Sequence, residues 1–320
     1  MFRYSVFGLK VSSEIELPEL YSCDFDSPDV EIRFGAVPQR IPNTEVRAGW
    51  LDMSADACLL RVPDVGRYLI EKGKTITIDA AHTTDARSSD IDIRLFVLGS
   101  SLGNLLHQRK SLPLHISAVM TPHGVIGFTG PSGAGKSTLG GWFMKQGRRA
   151  LFSDDVAALH CPENPRRLFA GPRRLKLWLD AMEQLNFDVN SASKVISHKP
   201  KYQIIGDQTI EPEPLPLIAM VELARHPSPS PPTLQRLRGK AAFDVMMGSV
   251  YRPMVGDWFH SHERMVGSIA SLCSKIKVYR FIRSWSLDQL SKDLDFLAEQ
   301  IEVIEPRFIT SEPEGVIFDG

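Results

Sequence analysis

The stretch Gly124-Val-Ile-Gly-Phe-Thr-Gly-Pro-Ser-Gly-Ala-Gly-Lys-Ser-Thr138 determines how the rest of the chain is interpreted. It contains the pattern G-x-x-x-x-G-K-[ST], which is that of a phosphate-binding loop, or P-loop. Glycines in such a loop let successive backbone N–H groups turn towards a triphosphate, because no Cβ obstructs them. Lys136 would reach the β- and γ-phosphate oxygens, and the Ser137 hydroxyl would bind Mg²⁺. The stretch therefore predicts ATP and Mg²⁺ as ligands.

The residues around the loop favour this interpretation over an ordinary glycine-rich turn. Residues 125–129 read as a buried strand that enters the loop, and residues 139–144 continue as a helix that leaves it. Residues 114–120 read as a strand that pairs with the first through a turn at 121–124, and residues 148–153 read as the next strand after a helix stop at Gly147. This order predicts an α/β architecture with its ligands at the carboxyl ends of strands.

Length and composition limit the class of protein. The 320 residues favour two domains, and 43% hydrophobic with 23% charged residues is typical of a soluble globular chain. The net charge of -1 provides no global field that would concentrate the protein on nucleic acid or an anionic membrane, and it leaves local charged patches open. The longest apolar stretches fall short of the roughly 20 residues that span a bilayer, and no signal peptide is recognised. The widely spaced cysteines predict reduced, mostly buried thiols and a cytoplasmic location.

The chain divides into two predicted domains. Residues 1–89 form a small β-rich N-terminal domain, with short strands predicted at 4–9, 30–34, 57–62, 67–71 and 75–79. Residues 90–320 form the P-loop domain, which opens with a helix from Asp90 to about His107. Its later part is predicted to contain a strand at 156–161, a basic loop leading into a helix from 173, a strand at 217–223, a loop at 226–232, a helix at 239–250, a strand at 276–281 and a helix at 287–301.

The acidic pair Asp154-Asp155, at the end of a predicted strand, indicates a reaction as well as a nucleotide. One carboxylate could coordinate Mg²⁺ while the other accepts a proton from an attacking hydroxyl. A turn cap or a solvated loop is the alternative, since Asp is common in turns. Adjacent residues of an extended strand point to opposite faces, so both roles require the chain to leave strand geometry at this pair.

Three further groups are candidates for the site. His115, on the strand beside the P-loop strand, could position the acceptor or polarise a carboxylate, or be an ordinary core histidine. Arg173 and Arg174, with Lys176, could neutralise charge on the phosphoryl group or contact the substrate, or form a solvated basic face. The segment His260-Ser-His-Glu263 has a weak metal-ligand spacing and is interpreted as surface.

Three segments together resemble the catalytic domain of HPr kinase/phosphorylase: Leu114-His-Ile-Ser-Ala118, the P-loop, and Leu151-Phe-Ser-Asp-Asp-Val156. The resemblance is closer still to the HPr-kinase-like enzymes encoded with lasso-peptide biosynthesis genes in bacteria. It implies that Asp154 is the base with His115 beside it, and that Ser137 and Asp155 hold Mg²⁺. It also implies that ATP is bound by the whole loop, namely Gly130, Pro131, Ser132, Gly133, Ala134, Gly135, Lys136, Ser137 and Thr138.

The sequence departs from that family at two places. The region after Cys161 lacks the family's glycine-rich segment with its preceding glutamate, and Thr138 stands where the bifunctional enzyme commonly has Glu. The resemblance therefore does not extend to a phosphorylase activity, to HPr as substrate or to the family's hexamer.

Two functions from different classes follow. The first is an ATP-dependent serine kinase acting on a peptide or small protein, such as a lasso precursor peptide, with Asp154, His115 and Lys136 as catalytic residues. The second is a nucleotide-responsive binding protein that transfers no phosphate. Simple NTP hydrolysis is disfavoured because the motifs of transport ATPases and GTPases are absent from the sequence. The sequence is compatible with either a monomer or an oligomer.

Overall fold

The computed structural model describes residues 1–80, 90–160, 166–196, 199–207, 210–226, 230–284 and 288–304. Within these ranges the chain is a mixed α/β protein with three sheets. None of their helices is both long enough and apolar enough to cross a bilayer. The division into two domains at residue 89 stays a prediction, because the residues on both sides of it share one core, as described below.

The N-terminal residues form a nine-stranded sheet with the order β3-β1-β2-β4-β9-β8-β7-β6-β5. Pairing is antiparallel except for β2 with β4 and β4 with β9. The segment predicted as one strand at 4–9 is two strands, because Phe7 and Gly8 adopt positive φ angles of 56° and 71° and turn the chain. The bounds are β1 Phe2–Val6, β2 Leu9–Ser13, β3 Tyr21–Ser22, β4 Val30–Phe34, β5 Val46–Ala48, β6 Leu51–Met53, β7 Ala57–Val62, β8 Gly66–Glu71 and β9 Thr75–Ala80.

The helix predicted from Asp90 is present and covers one face of this sheet. It comprises α1 (Asp90–Phe96), a π-helical segment (Val97–Ser101) and α2 (Leu102–Gln108). The apolar stripe that predicted the helix contributes to the core of the N-terminal sheet, and its residues Leu98, Leu102, Leu105 and Leu106 are at most 1% exposed.

A second sheet carries the P-loop. Its order is β10-β14-β15-β19-β12-β11-β13, with β21 added parallel to β19 and β20 added antiparallel to β21. Because β12, β19 and β21 are parallel, their carboxyl ends lie on one edge. The bounds are β10 Leu112–Leu114, β11 Ser117–Thr121, β12 Gly124–Thr129, α3 Lys136–Lys145, β13 Leu151–Ser153, β14 Ala157–Leu159 and β15 Arg167–Phe169.

The remaining elements complete a layered structure. Apolar residues of α3, α4 and α8 pack on one face of the second sheet, and those of α5 and α7 pack on the other. A small third sheet has the order β16-β18-β17. The bounds are β16 Arg174–Trp178, α4 Leu179–Gln184, a 3₁₀ turn Val189–Ser191, β17 Ser193–Lys194, β18 Lys201–Ile205, β19 Leu215–Arg225, β20 Thr233–Leu237, α5 Gly239–Gly248, α6 Pro253–His260, α7 His262–Cys273, β21 Lys277–Arg283 and α8 Leu290–Ile304.

Two further predictions of secondary structure are wrong. The strand predicted at 114–120 is interrupted, because the His115 backbone N–H donates to Ser249 O at 2.6 Å instead of to a strand partner. The basic loop predicted from Arg173 is the strand β16, and Arg174 and Lys176 are only 3% and 7% exposed. A basic sequence thus became buried because it pairs with β18 and faces carboxylates.

Several predicted features fall partly outside the described residues. Cys161 and residues 227–229 lie outside them, whereas Cys58 is buried and Cys23 and Cys273 are half-buried free thiols. The surface interpretation of residues 260–263 is wrong for His260, which is 7% exposed and stacks edge-on against His107 at 5.3 Å. His262 and Glu263 are exposed, as predicted.

Candidate active site

The P-loop connects β12 directly to α3. Gly133 and Gly135 adopt φ angles of 83° and 89°, which side chains with a Cβ rarely allow, so glycine is required for this curl. The Lys136 ammonium group donates to Gly130 O at 2.9 Å and to Pro131 O at 3.2 Å. Lys136 therefore folds back over the loop, and its ammonium group is held by the loop's own carbonyl groups.

A cavity of about 150 Å³ opens in front of this loop. Most residues that the sequence predicted for the site lie on its wall. Gly130, Pro131 and Ala134 belong to the loop but do not line the cavity, and the Ala134 backbone N–H donates to Pro131 O. Asp155 lies opposite the loop, whereas Asp154 is absent from the lining. The lining residues are His115, Ser132, Gly133, Gly135, Lys136, Ser137, Thr138, Asp155, Lys176, Leu177, Trp178 and Lys201.

The two aspartates occupy different environments because the chain leaves strand geometry between them. Asp155 adopts a φ of 79°, a left-handed conformation that costs of order 1 kcal/mol or more in a non-glycine residue. Its carboxylate forms an ion pair with the Lys176 ammonium group and lies 3.8 Å from His115 Nδ1. Asp154 is only 1% exposed, and its Oδ2 accepts the Lys176 backbone N–H at 3.0 Å.

These environments shift the pKa values of the two carboxyl groups in opposite directions. Burial raises the pKa of Asp154, and the hydrogen bond from the Lys176 backbone and a contact with the Ser137 side chain only partly oppose that rise. Burial would also raise the pKa of Asp155, but the charge and the hydrogen bond of Lys176, together with weaker contributions from neighbours such as Arg174, outweigh burial and hold that pKa below its usual range. Asp155 is therefore the ionised carboxylate that faces the cavity.

His115 stands beside Asp155 as a neutral imidazole. Its ring stacks on Tyr251 with centroids 5.8 Å apart and an interplanar angle of 9°. Burial lowers the pKa of His115 to about 4, and although Asp155 opposes that shift, Lys136 and Lys176 add to it. At neutral pH this histidine can therefore accept or donate one hydrogen bond without carrying charge.

Residues that no motif predicted also lie in the cavity wall or beside the loop. Lys201, from β18, places its ammonium group 5.3 Å from the centroid of the Trp178 ring, which is 45% exposed. Arg283, at the end of β21, lies behind the loop, within 3.2 Å of the position a Cβ on Gly135 would occupy. These residues come from strands distant in sequence, so only the folded chain brings them to the loop.

Arg173 and Arg174 do not reach the cavity wall. Arg173 donates to Pro18 O at 3.1 Å and to Gly206 O at 3.4 Å, and Arg174 contacts Gln203 Oε1 at 3.5 Å. The geometry does not support their predicted contacts to phosphate or substrate. Arg173 thereby links the segment before β16 to an N-terminal loop and to the end of β18, and Arg174 contacts β18. The charge of Arg174 also helps to lower the pKa of Asp155.

The residues present fit a magnesium nucleotide. Asp154 Oδ1 is buried and has no hydrogen-bond partner among the residues that the structure describes, and the Ser137 side chain lies beside the same carboxyl group. Mg²⁺ usually takes one or two protein oxygens and completes its shell with phosphates and water. In the described ranges, no group of three or more His, Cys, Asp or Glu side chains could hold a metal ion by itself.

The comparisons with known proteins identify no family for this chain. No family model matches it, and no curated protein matches it. Among solved structures, it is similar to the HPr(Ser) kinase/phosphatase from Coxiella burnetii, with 11% sequence identity and a TM-score of 0.26, over 60% of this chain and 93% of that chain. A TM-score this low carries no conclusion about chemistry, and the closer resemblance to lasso-associated enzymes stays a prediction.

Proposed function

We propose that this protein is an ATP-dependent phosphotransferase that moves the γ-phosphoryl group onto a serine hydroxyl of a peptide or small protein. The observation that carries this proposal is that Lys136 and Ser137 of the P-loop share one cavity with the ionised carboxylate of Asp155. A loop that binds nucleotide needs only the first two residues. A carboxylate facing them across the cavity is what transfer to a hydroxyl requires in addition.

The P-loop side of the cavity holds the donor. Backbone N–H groups of the loop and the N-terminus of α3 bind the phosphates, and Lys136 stabilises negative charge that develops during transfer. Ser137, supported by Asp154, would hold Mg²⁺, which when bound neutralises charge on the phosphate oxygens. Lys176 and Lys201 add positive charge from the opposite wall.

The acceptor side is built around Asp155. The serine oxygen forms a bond to the γ-phosphorus while the bond from that phosphorus to the β,γ-bridging oxygen breaks, and the hydroxyl proton passes to the Asp155 carboxylate. A carboxylate whose pKa is held low by Lys176 is a weak base. That is sufficient here, because the hydroxyl proton is lost late in a loose phosphoryl-transfer transition state and positioning supplies most of the rate.

This assignment reverses the roles that the sequence resemblance implies for the two aspartates. Asp154 was predicted to be the base and Asp155 the metal ligand, but Asp154 lies behind the cavity wall beside Ser137, whereas Asp155 lies on the wall beside His115. We assign Asp155 as the base and Asp154 as the residue that supports the metal. His115, kept neutral, orients the acceptor hydroxyl or the Asp155 carboxylate. Within this proposal the acceptor is a peptide, with a lasso precursor as the specific class that the sequence resemblance suggests.

Two matched substitutions test the reaction and the assignment together. Phosphate transfer from [γ-³²P]ATP to an array of serine-containing peptides is measured for wild type, Asp155→Asn and Asp154→Asn, with binding of a fluorescent ATP analogue as a separate readout. Asp155→Asn should bind nucleotide normally and lose roughly a hundredfold to a ten-thousandfold in transfer, as expected for a general base. Asp154→Asn should lose Mg²⁺-dependent nucleotide affinity. The exposed Asp244→Asn on α5 is the control and should change neither.

Two outcomes contradict the proposal in different ways. Normal transfer by Asp155→Asn, with loss confined to Asp154→Asn at unchanged nucleotide affinity, would restore the roles implied by the resemblance. Nucleotide binding without any phosphorylated product, checked by mass spectrometry, would favour the nucleotide-responsive binding protein. The tight pairing of Asp155 with Lys176 is the observation that favours this second function.

A further inference from the structure

The N-terminal sheet carries a concave basic surface that has no role in the chemistry described above. Two adjoining depressions, of about 700 and 390 Å³, share Gly49, Arg61 and Arg67 in their walls. We call this surface the arginine groove and define it by five residues: Arg40, Arg47, Trp50, Arg61 and Arg67. None of them belongs to a sequence motif, and they come from four separate segments of the first 67 residues.

The groove combines fixed and unpaired charges. Arg61 is fixed, because it contacts both oxygens of the buried Asp52 carboxylate at 2.7 and 2.9 Å, and Arg67 pairs with Asp79 at 2.5 Å. Arg40 and Arg47 are exposed, and neither forms an ion pair with any residue that the structure describes. Positive charge is therefore left at one end of the groove for an external anionic group.

A series of stacked side chains connects the groove to the catalytic cavity. The Arg252 guanidinium group lies 5.4 Å from the Trp50 ring centroid and 5.5 Å from that of Tyr251, and Tyr251 in turn stacks on His115. Arg252 is fixed in place by a 2.6 Å hydrogen bond to Ser100 Oγ. Tyr251 packs so closely on Gly103 that a Cβ there would lie 2.5 Å from its ring. This rigid path begins at an exposed aromatic ring and ends at the residue beside Asp155.

The backbone at the groove is also suited to a polypeptide. Strand β5, which carries Arg47, is the last strand of its sheet and pairs only with β6 among the described strands. An exposed strand edge presents N–H and C=O groups with which an extended peptide can pair. Nucleic acid would instead need a longer positive surface with more aromatic rings for stacking, and here Asp52 and Asp79 offset two of the four arginines.

We propose that the arginine groove binds an acidic, extended segment of the peptide substrate, and that the Trp50–Arg252–Tyr251–His115 series leads from this segment to the acceptor serine. The substrate class is then a peptide whose acidic segment and phosphorylated serine are separate, with the acidic segment at β5. This proposal rests on the proposed function for the identity of the reaction. The binding itself requires only the groove.

Binding is measured with a probe of defined chemistry on the full chain. A fluorescein-labelled 12-residue peptide of alternating Glu and Ser is titrated with wild type, and its anisotropy is compared with that of a Lys-Ser peptide and a 12-nucleotide single-stranded RNA. The double variant Arg40→Glu/Arg47→Glu reverses two exposed charges and should weaken Glu-Ser binding roughly tenfold or more. The control Arg238→Glu/Arg264→Glu makes the same change in net charge on exposed residues elsewhere and should weaken it less than about twofold.

A second variant tests the path. Trp50→Ala should weaken peptide binding, whereas Trp50→Phe, which keeps a ring for Arg252, should restore most of it. Circular dichroism melting curves exclude unfolding as the cause in each case. Equal Glu-Ser binding by wild type and by Arg40→Glu/Arg47→Glu overturns the proposal, and so does RNA binding that is tighter than peptide binding and depends on the same two arginines.

The failures of the two proposals are distinguishable. If Glu-Ser binding depends on Arg40 and Arg47 but no peptide ever gains phosphate from labelled ATP, the kinase proposal fails and the groove stands. If peptides are phosphorylated with a kcat/KM that depends neither on acidic residues nor on these arginines, the kinase stands and the groove proposal fails. If both hold, the double variant raises KM for an acidic substrate and leaves kcat unchanged.

Discussion

The catalytic cavity and the arginine groove both concentrate charge, but they hold it in opposite ways. In the cavity, Lys136, Asp154 and Lys176 are each at most 8% exposed and are bound to backbone groups or to one another. In the groove, Arg40 and Arg47 project into solvent. Buried, fixed charges act strongly on a reacting group because little water screens them, whereas exposed charges mainly attract and select a partner. Under the two proposals, this contrast separates a region for chemistry from a region for recognition.

The largest effect should come from removing a cavity charge. Lys136→Ala is expected to reduce phosphate transfer roughly a thousandfold, since it removes the donor that stabilises charge on the γ-phosphoryl group. The reduction should appear in kcat, whereas reversing the groove charges should appear in KM. Single-turnover transfer from labelled ATP measures the first effect. Transfer by Lys136→Ala within tenfold of wild type would break the comparison, and Lys240→Ala, on the exposed face of α5, is the matched control.

Acid should affect the two regions unequally, because only one of them depends on neutral histidines. His107 is fully buried, its Nε2–H donates to Tyr251 O at 2.7 Å, and burial lowers its pKa to about 3. The neighbouring His260, whose pKa burial also lowers, disfavours a second positive charge there. His107 therefore supports the segment that carries Tyr251, and burial keeps its imidazole uncharged at neutral pH.

The lowered pKa of His107 determines how the free energy of unfolding changes with pH. Between pH 6.5 and about 3 the unfolded chain binds a proton at His107 that the folded chain does not, so stability is present above pH 6.5 and is lost as the pH falls. The loss should reach roughly 3 kcal/mol by pH 4.5, two units below the ordinary pKa, since one pKa unit corresponds to about 1.4 kcal/mol. Urea unfolding at pH 7, 5.5 and 4.5 measures it.

Variants distinguish this histidine from the other titrating groups. His107→Gln keeps a donor for Tyr251 O and should flatten the pH dependence of unfolding between pH 6.5 and 4.5. His262→Gln, at an exposed position, should leave the slope as it is in wild type. An unchanged slope in His107→Gln would mean that other residues cause the acid sensitivity, and that the contrast between the regions does not extend to pH.

The sequence predicted the cavity far better than the groove, for a physical reason. A P-loop needs glycines, a lysine and a serine at fixed spacing in one segment, because one continuous backbone wraps the phosphates. The helix at Asp90 and the strands at 30–34, 57–62 and 75–79 were likewise predictable, since each buries one periodic face. Trp178 and Lys201 were not, because they join the cavity only through the pairing of β16 with β18.

The positions of Asp154 and Asp155 relative to the cavity could be predicted only in part from the sequence. Their adjacency in sequence indicated two roles, and the need for a departure from strand geometry was also predictable. Which of them faces the cavity depends on the positive φ of Asp155 and on the burial of Lys176, and neither can be read from neighbouring residues. The arginines of the groove are similarly scattered along the chain, so they formed no pattern until the nine strands were in order.

Ionic strength should produce the smallest effect and the sharpest test of the contrast. Raising it from about 0.1 M to about 1 M shortens the screening length from about 10 Å to about 3 Å. Exposed arginines then attract an acidic peptide less, and Glu-Ser peptide affinity should fall roughly tenfold or less. The affinity for an ATP analogue with Mg²⁺ should change by no more than about twofold, because Lys136 and the P-loop backbone act at contact distance in a site with little water.

Anisotropy titrations at four salt concentrations measure how the affinity for each ligand depends on salt. The variant Arg40→Glu/Arg47→Glu should remove the salt dependence of peptide binding and leave that of nucleotide binding unchanged. An equal salt dependence of the affinities for the peptide and for the nucleotide would mean that the cavity charges are as accessible to solvent as those of the groove.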